Sequence, residues 1–316
     1  MTEDIIDMEL SKIALGCDSK PFKKGKDVTE ILDACRQIGI NVFDTARGYG
    51  KSEKVLGEYI RTHGNREDYY VISKGCLPYP FSRVNEKCLI KDLEKSLTTL
   101  NIGYIDLYLL HRDDSGCNLR LLIQVLNEYI KKGKIKAYGF SNFTAKRVSQ
   151  AERIAKLYDL VGPIAVSDNL TLLPWVQDPW GGSDGCVSLT GKPEELKFFE
   201  ERGYPIYSYS PLARGYLTGR VNSSDNFDTK NVDKAAIRAY QSEENIERLK
   251  ALEGISKELN ISIPSLTIAY LCNKKLKIVP VIGSTSPIRL KENMEATKIV
   301  LPEETMAALD ELSLNK

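Results

Sequence analysis

Four side chains far apart in this chain could together move a proton. They are Asp44 and Tyr49 in the stretch FDTARGYG, Lys74 in VISKG, and His111 in YLLHR. A tight turn can be built from glycine or asparagine alone and has no need of a phenol five residues beyond a carboxylate. A phenol is a weak acid, with a free pKa of about 10. An ammonium such as Lys74 beside it favours the phenolate, and Asp44 would pair with that ammonium and fix its position. His111 can donate or accept a hydrogen bond and so orient a carbonyl oxygen. Together the four can protonate a carbonyl oxygen as charge develops on it, or in reverse take a proton from an alcohol. Singly, each has a plainer reading: a turn aspartate, a solvated lysine, a structural histidine. Only joint placement gives them chemistry.

The elements that would bring them together can be read from the order of apolar segments. SKIALGC, INVFDTA, YYVISKG, YIDLYLLHR, IKAYGFSN, the weaker IAVSDNL, YPIYSYS and KIVPVIG read as eight strands. Helical patterns such as SEKVLGEYIR and LRLLIQVLNEYIKKG lie between them, with apolar residues at three- and four-residue spacing. This alternation predicts a (β/α)8 barrel of the TIM type over residues 1–316, as a single domain. A two-domain doubly wound fold is the rival, but the GxGxxG fingerprint that would follow its first strand is absent. In such a barrel, ligands sit at the carboxyl ends of the strands. That rule places Asp44, Lys74 and His111 at one mouth, followed by Ser141 and Asn142, Tyr209 and Ser210, and, just after Ile282, Gly283 and Ser284. Two long connections, approximately 172–192 and 213–233, are expected over that mouth, and a final helix at 302–312 outside the barrel.

A proton donor of this kind needs a hydride donor, which no side chain can be and a nicotinamide cofactor can. Ser141 and Asn142 suit a carboxamide, and Tyr209 suits stacking on a nicotinamide ring. The turn GSTSPIRLKEN suits a phosphate: Ser284 and Thr285 offer hydroxyls and backbone amides beside a helix N-terminus. Arg289 can meet a 2′-phosphate in a fork, with Glu292 and Asn293 near an adenine amino group.

Composition sets limits on the rest. The net charge of +1 gives no reason to expect nucleic acid or an acidic membrane as partner. The acidic start, MTEDIIDME, has no apolar signal segment and no run reaches spanning length, so a cytoplasmic protein is expected. Seven scattered cysteines without a CxxC pair argue against a disulfide framework, and two histidines argue against a metal site. Nothing in the pattern decides between a monomer and a homo-oligomer.

The motifs in this order resemble those of the aldo-keto reductases. FDTARGYG followed by SEKVLGEYIR resembles that family's Asp-Thr-Ala-x-x-Tyr-Gly segment, VISKG its lysine strand, and YIDLYLLHR its Asp-x-x-x-x-His strand, with Asp106 in the Asp place. YGFSNF, YSPLARGYLTG and VPVIGSTSPIRLKEN are also similar, so the likeness runs from about Leu15 through Leu290 and beyond. The resemblance implies a (β/α)8 barrel, a catalytic tetrad of Asp44, Tyr49, Lys74 and His111 with Tyr49 as proton donor, and an extended cofactor, usually NADPH. It further implies Tyr209 against nicotinamide, Ser141 and Asn142 on its amide, and Leu212 and Gly215 along the pyrophosphate. Two positions depart from the family's pattern. Ser167 stands where many relatives carry a glutamine, and Gly283 where some carry a lysine near the 2′-phosphate, which leaves NAD use open.

The substrate expected from this reading is an aldehyde, a ketone or the corresponding alcohol, sugar-like or otherwise polar. Arg47, Tyr79, Arg112, Trp175 and Trp180 are the residues expected to meet it, with Phe81 near Tyr79. Competing readings are a slow, cofactor-binding regulatory subunit and a lyase or isomerase using Lys74 as a Schiff base.

Overall fold

A computed structural model of the chain describes residues 8–77, 83–181, 185–221, 223 and 232–314. Eight parallel strands close on one another in sequence order: β1 Ala14–Gly16, β2 Val42–Asp44, β3 Tyr70–Gly75, β4 Ile105–Leu110, β5 Ile135–Ser141, β6 Val166–Ser167, β7 Ile206–Tyr209 and β8 Ile278–Ile282. Between them come helices α1 Lys20–Lys24, α2 Thr29–Gln37, α3 Ser52–Thr62, α4 Glu86–Leu100, α5 Leu119–Lys131, α6 Ala145–Leu157 and α7 Pro193–Glu201. Helices α8 Lys234–Tyr240, α9 Glu243–Glu258 and α10 Ile263–Asn273 separate β7 from β8, and α11 Pro287–Ala296 and α12 Glu303–Ser313 follow. This is the expected (β/α)8 barrel. The sixth segment, weak in sequence, is indeed the shortest strand.

The helices form because each presents one apolar stripe to the strands. In α5, Leu119, Leu122, Ile123, Leu126 and Tyr129 are buried at three- and four-residue intervals. The Asn118 side chain accepts from the Leu121 amide at 3.3 Å, satisfying a backbone donor that the helix start leaves open.

The pleat positions the polar residues. Successive strand side chains point to opposite faces. Inside the barrel, Ala14, Val42, Ile72, Leu107, Leu109, Ala137, Ala165, Tyr207, Val279 and Val281 pack as one buried cluster, separate from the larger core between strands and helices. Two residues further along, the same inward face carries Asp44 above Val42, Lys74 above Ile72, His111 above Leu109, Ser167 above Ala165 and Tyr209 above Tyr207. Strand register staggers these positions around the barrel: Asp44 lies opposite Ile72 and Lys74 opposite Leu109, while Ser141 pairs with Ser167 and Tyr209 with Val281. An apolar plug thus closes the barrel beneath a polar floor. Gly139 allows part of this, because a Cβ there would collide with the Ala165 carbonyl of the next strand.

Candidate active site

Asp44 and Lys74 meet at the floor. Lys74 Nζ is 2.6 Å from Asp44 Oδ1 and 3.0 Å from the Thr45 carbonyl, and both side chains are almost fully buried. Burial opposes charge on the lysine, but the Asp44 carboxylate and the Tyr49 phenol outweigh it and raise the pKa of Lys74. It is therefore an ammonium at neutral pH, not the free amine that a Schiff base requires.

Tyr49 reaches this pair from the loop after β2. That loop is tied down by Arg47 N on the Lys74 carbonyl at 2.8 Å, Tyr49 N on the Ala46 carbonyl at 3.0 Å, and Lys51 N on the Lys23 carbonyl at 3.1 Å. Gly50 has φ +61°, and a Cβ there would stand 2.7 Å from the Lys23 carbonyl, so glycine lets the loop turn back immediately after the phenol. Lys74 Nζ lies 5.0 Å from the Tyr49 ring centroid, and the His111 ring meets it edge-on at 5.6 Å. Lys74 pulls the phenol toward acidity, as the sequence argument expects. The cost of burying a phenolate is larger, however, and Tyr49 is pushed up to about 12. In the protein alone it is a protonated acid. His111 is held well below the usual imidazole range by burial and by the charges of Arg112 and Lys74. Its ring is neutral, and Nδ1 is buried without a partner among the described residues.

Ser141, Asn142 and Ser167 have different relations to this floor. Ser141 Oγ donates to the Ser167 carbonyl at 2.7 Å, and both serines line the cavity, where Ser167 Oγ is unpartnered among the described residues. Asn142 adopts φ +62°, and its side chain is buried. Its Oδ1 accepts from the Val187 amide at 2.9 Å and the Tyr209 hydroxyl at 2.7 Å, while Nδ2 donates to Ser141 Oγ at 2.8 Å. The amide expected to face a ligand instead ties together three segments, and it does not line the cavity. Behind it, Asp168 Oδ1 accepts from the Asn142 backbone N–H at 2.5 Å, and burial pushes the Asp168 carboxyl up to about 8.

That shift has a sign that can be measured. Below about pH 4 Asp168 is protonated in both folded and unfolded chains. From there to about 8 only the unfolded chain ionises, so this carboxyl costs stability as pH rises through that window. Asp168→Asn keeps the shape and the acceptor. In urea unfolding, the variant should gain more than about 1 kcal/mol on the native protein between pH 5 and pH 8. A difference that is flat with pH would refute the assignment.

Beyond β7 and β8 the cavity continues past Tyr209, Ser210, Leu212 and Gly215 to Ile282, Gly283, Ser284, Arg289 and Asn293. Its volume is about 590 Å³. Ser286 begins α11, and its N–H donates to Ser284 Oγ at 3.1 Å. Thr285 and Glu292 do not line the cavity.

Of the expected substrate residues, Arg112 and Trp180 line the cavity. Arg47 does not: its guanidinium is paired with the buried carboxylate of Glu53, which also accepts from Ser73 Oγ at 2.8 Å. Trp175 is turned toward the core, with Nε1 donating to the Tyr240 hydroxyl at 2.9 Å. Tyr79 and Phe81 lie outside the described residues. Sequence reasoning missed Asp18, Ser19 and Lys23 after β1, and Arg214, Arg220 and Asp233 after β7, all of which line the cavity. The strand-end rule that found Asp44 would have found the first group had it been applied to CDSK after the first strand. Asp106 sits at the other end of β4, accepting from Val71 N at 2.9 Å and Arg66 Nη2 at 2.5 Å, a structural brace.

A closed parallel barrel with a buried ion pair, a phenol and a neutral imidazole at the carboxyl ends of its strands defines an enzyme-type barrel with its site at the mouth. Residues 14–314 match the model of the aldo/keto reductase family, and the chain belongs to that family. It is similar to a "Probable voltage-gated potassium channel subunit beta" of Arabidopsis thaliana, 27% identical over 91% of this chain and 86% of that one. It is equally similar to "Aldo-keto reductase str7" of Strobilurus tenacellus, 27% identical over 90% of this chain and 80% of that one. A "Putative voltage-gated potassium channel subunit beta" of Schizosaccharomyces pombe is 24% identical over 96% of this chain and 90% of that one. No helix among the described residues is long and apolar enough to cross a membrane.

Proposed function

We propose that the protein reduces an aldehyde or ketone to the alcohol with NADPH, with Tyr49 as general acid. The observation that carries this reading is the meeting of Tyr49, the Asp44–Lys74 pair and neutral His111 at one end of a cavity. Ser141, Ser167 and Tyr209 line that cavity alongside them, and Arg289 lies further along it. The unpartnered hydroxyl of Ser167 and the flat face of Tyr209 fit a nicotinamide carboxamide and ring. Serine in place of glutamine makes that contact short, and a water can complete it. A nicotinamide cofactor, when bound, supplies a hydride to the carbonyl carbon.

The chain's own residues do the rest. His111 offers one N–H to the carbonyl oxygen and fixes its lone pairs. Tyr49 donates its proton as that oxygen gains charge. Lys74, held by Asp44, stabilises the phenolate left behind, and solvent reprotonates it. Burial keeps the phenol protonated at neutral pH, which suits reduction. In the reverse direction a phenolate takes the proton from an alcohol, so oxidation should be favoured as pH rises. Arg289 and the start of α11 favour a 2′-phosphate, hence NADP over NAD.

Steady-state assays with 4-nitrobenzaldehyde, run in parallel with NADPH and NADH, test the reading. Turnover is expected, with kcat/KM higher for NADPH by about tenfold or more. Absence of turnover with either cofactor across a panel of aldehydes and ketones would contradict it. Two of the similar proteins bear channel-subunit names, which supports a second reading as a cofactor-binding partner subunit with slow release. Cofactor bound tightly, with negligible turnover and a partner retained on purification, would favour that one.

A further inference from the structure

The charges lining the cavity pair off unevenly. Asp18 stands 3.0 Å from Lys23, Asp44 2.6 Å from Lys74, and Asp233 2.7 Å from Arg214. Arg112, Arg220 and Arg289 also line it, and none has a carboxylate against it among the described residues. Arg220 and Arg289 are exposed, where water solvates a guanidinium at little cost. They also lie toward the β7 and β8 side, where phosphates of an extended cofactor would need them.

Arg112 is different. It directly follows His111, is only 7% exposed, and among the described residues its hydrogen bond is from Nη1 to the His111 carbonyl at 2.8 Å. Its Nε is buried without a partner among the described residues. The Trp180 ring centroid lies 5.6 Å from the Arg112 guanidinium carbon and 5.3 Å from that of Arg214, so the indole forms a wall beside both guanidiniums. Asp168, the buried acid behind this corner, is turned onto the Asn142 backbone rather than onto Arg112. A guanidinium stripped of water and left unpaired is costly, and a bidentate oxyanion is its best complement.

We propose that Arg112, walled by Trp180, is the subsite for an anionic oxygen group on the substrate. The preferred substrates are then carbonyl compounds that carry a carboxylate or a phosphate. This rests on the carbonyl-reductase reading above and names its substrate class. With Lys74 already neutralised by Asp44, Arg112 is the uncompensated charge beside the reacting carbonyl. An anion bound there holds the carbonyl near Tyr49 and His111 by a group that takes no part in the reaction.

The test compares kcat/KM, with NADPH, for benzaldehyde against 4-carboxybenzaldehyde and for glyceraldehyde against glyceraldehyde 3-phosphate. The anionic member of at least one pair should be favoured by about tenfold or more. A carboxylate preference identifies an oxo-acid type of substrate, and a phosphate preference a phosphorylated one. In Arg112→Met that preference should collapse toward unity, mainly through KM, and Arg112→Lys should restore part of it. Neutral members reduced as well as the anionic ones by the native protein would overturn the proposal while leaving the reductase reading intact. So would a preference that persists undiminished in Arg112→Met. No reduction of any of the four would overturn the reductase reading and this subsite with it.

Discussion

Tyr49→Phe should lower kcat for aldehyde reduction by about 10²–10⁴-fold, with the Kd for NADPH within about twofold of the native value. The ring stays and only the hydroxyl goes. The edge contact with His111 at 5.6 Å and the packing of the loop after β2 are therefore kept. What is lost is the one side-chain acid at the floor that is protonated at neutral pH and stands beside both Lys74 and His111. His111 cannot replace it as a cationic acid, because burial, Arg112 and Lys74 hold the imidazole neutral. Steady-state kinetics with a fluorescence titration of NADPH separate the two effects. Full activity in the variant would remove Tyr49 from the mechanism, and lost cofactor binding would mean that the substitution disturbs more than a proton.

Lys74→Met should be the most damaging single change to stability, at about 3–5 kcal/mol. Both partners are nearly fully buried at 2.6 Å, so removing the ammonium leaves Asp44 charged in an apolar barrel with only residual support. Asp44→Asn combined with Lys74→Met removes both charges and should recover most of that loss, while activity stays absent. The deficit of the single variant should also shrink as pH falls toward about 5. There protonation of the orphaned carboxyl, whose folded pKa is raised by burial, relieves the folded state. Chemical unfolding of the three proteins at two pH values makes the comparison. A double variant no more stable than Lys74→Met would mean that the pair is not what couples them.

The barrel itself was legible because its signal is repeated. Alternating short apolar strands and amphipathic helices leave few closed arrangements, and the two-residue pleat then fixes which polar residue sits over which apolar one. Asp44, Lys74 and His111 could be placed together on that basis alone, with Tyr49 carried by its loop. Four things could not be read this way. Asn142 and Trp175 have the right types for ligand contacts, but their direction is set by distant partners, Val187 and Tyr240, which no local pattern reveals. Arg47 lies within the motif but is captured by Glu53, a buried carboxylate in the first turn of α3. The acidity of Tyr49 is a contest between burial and Lys74, and burial depends on the whole fold. The short helices α1 and α8, which bring Lys23 and Asp233 to the rim, also lack the long periodicity that marks an element in sequence.

A crystal structure of the protein with NADP⁺ tests the central claim most directly. The account predicts the nicotinamide ring against Tyr209, its carboxamide at Ser141 and Ser167, and C4 facing the Tyr49 hydroxyl. A carbonyl placed between them should lie within about 3–3.5 Å of both. A nicotinamide bound away from Tyr49, or a Tyr49 hydroxyl turned from Lys74 and His111 in that complex, would contradict it.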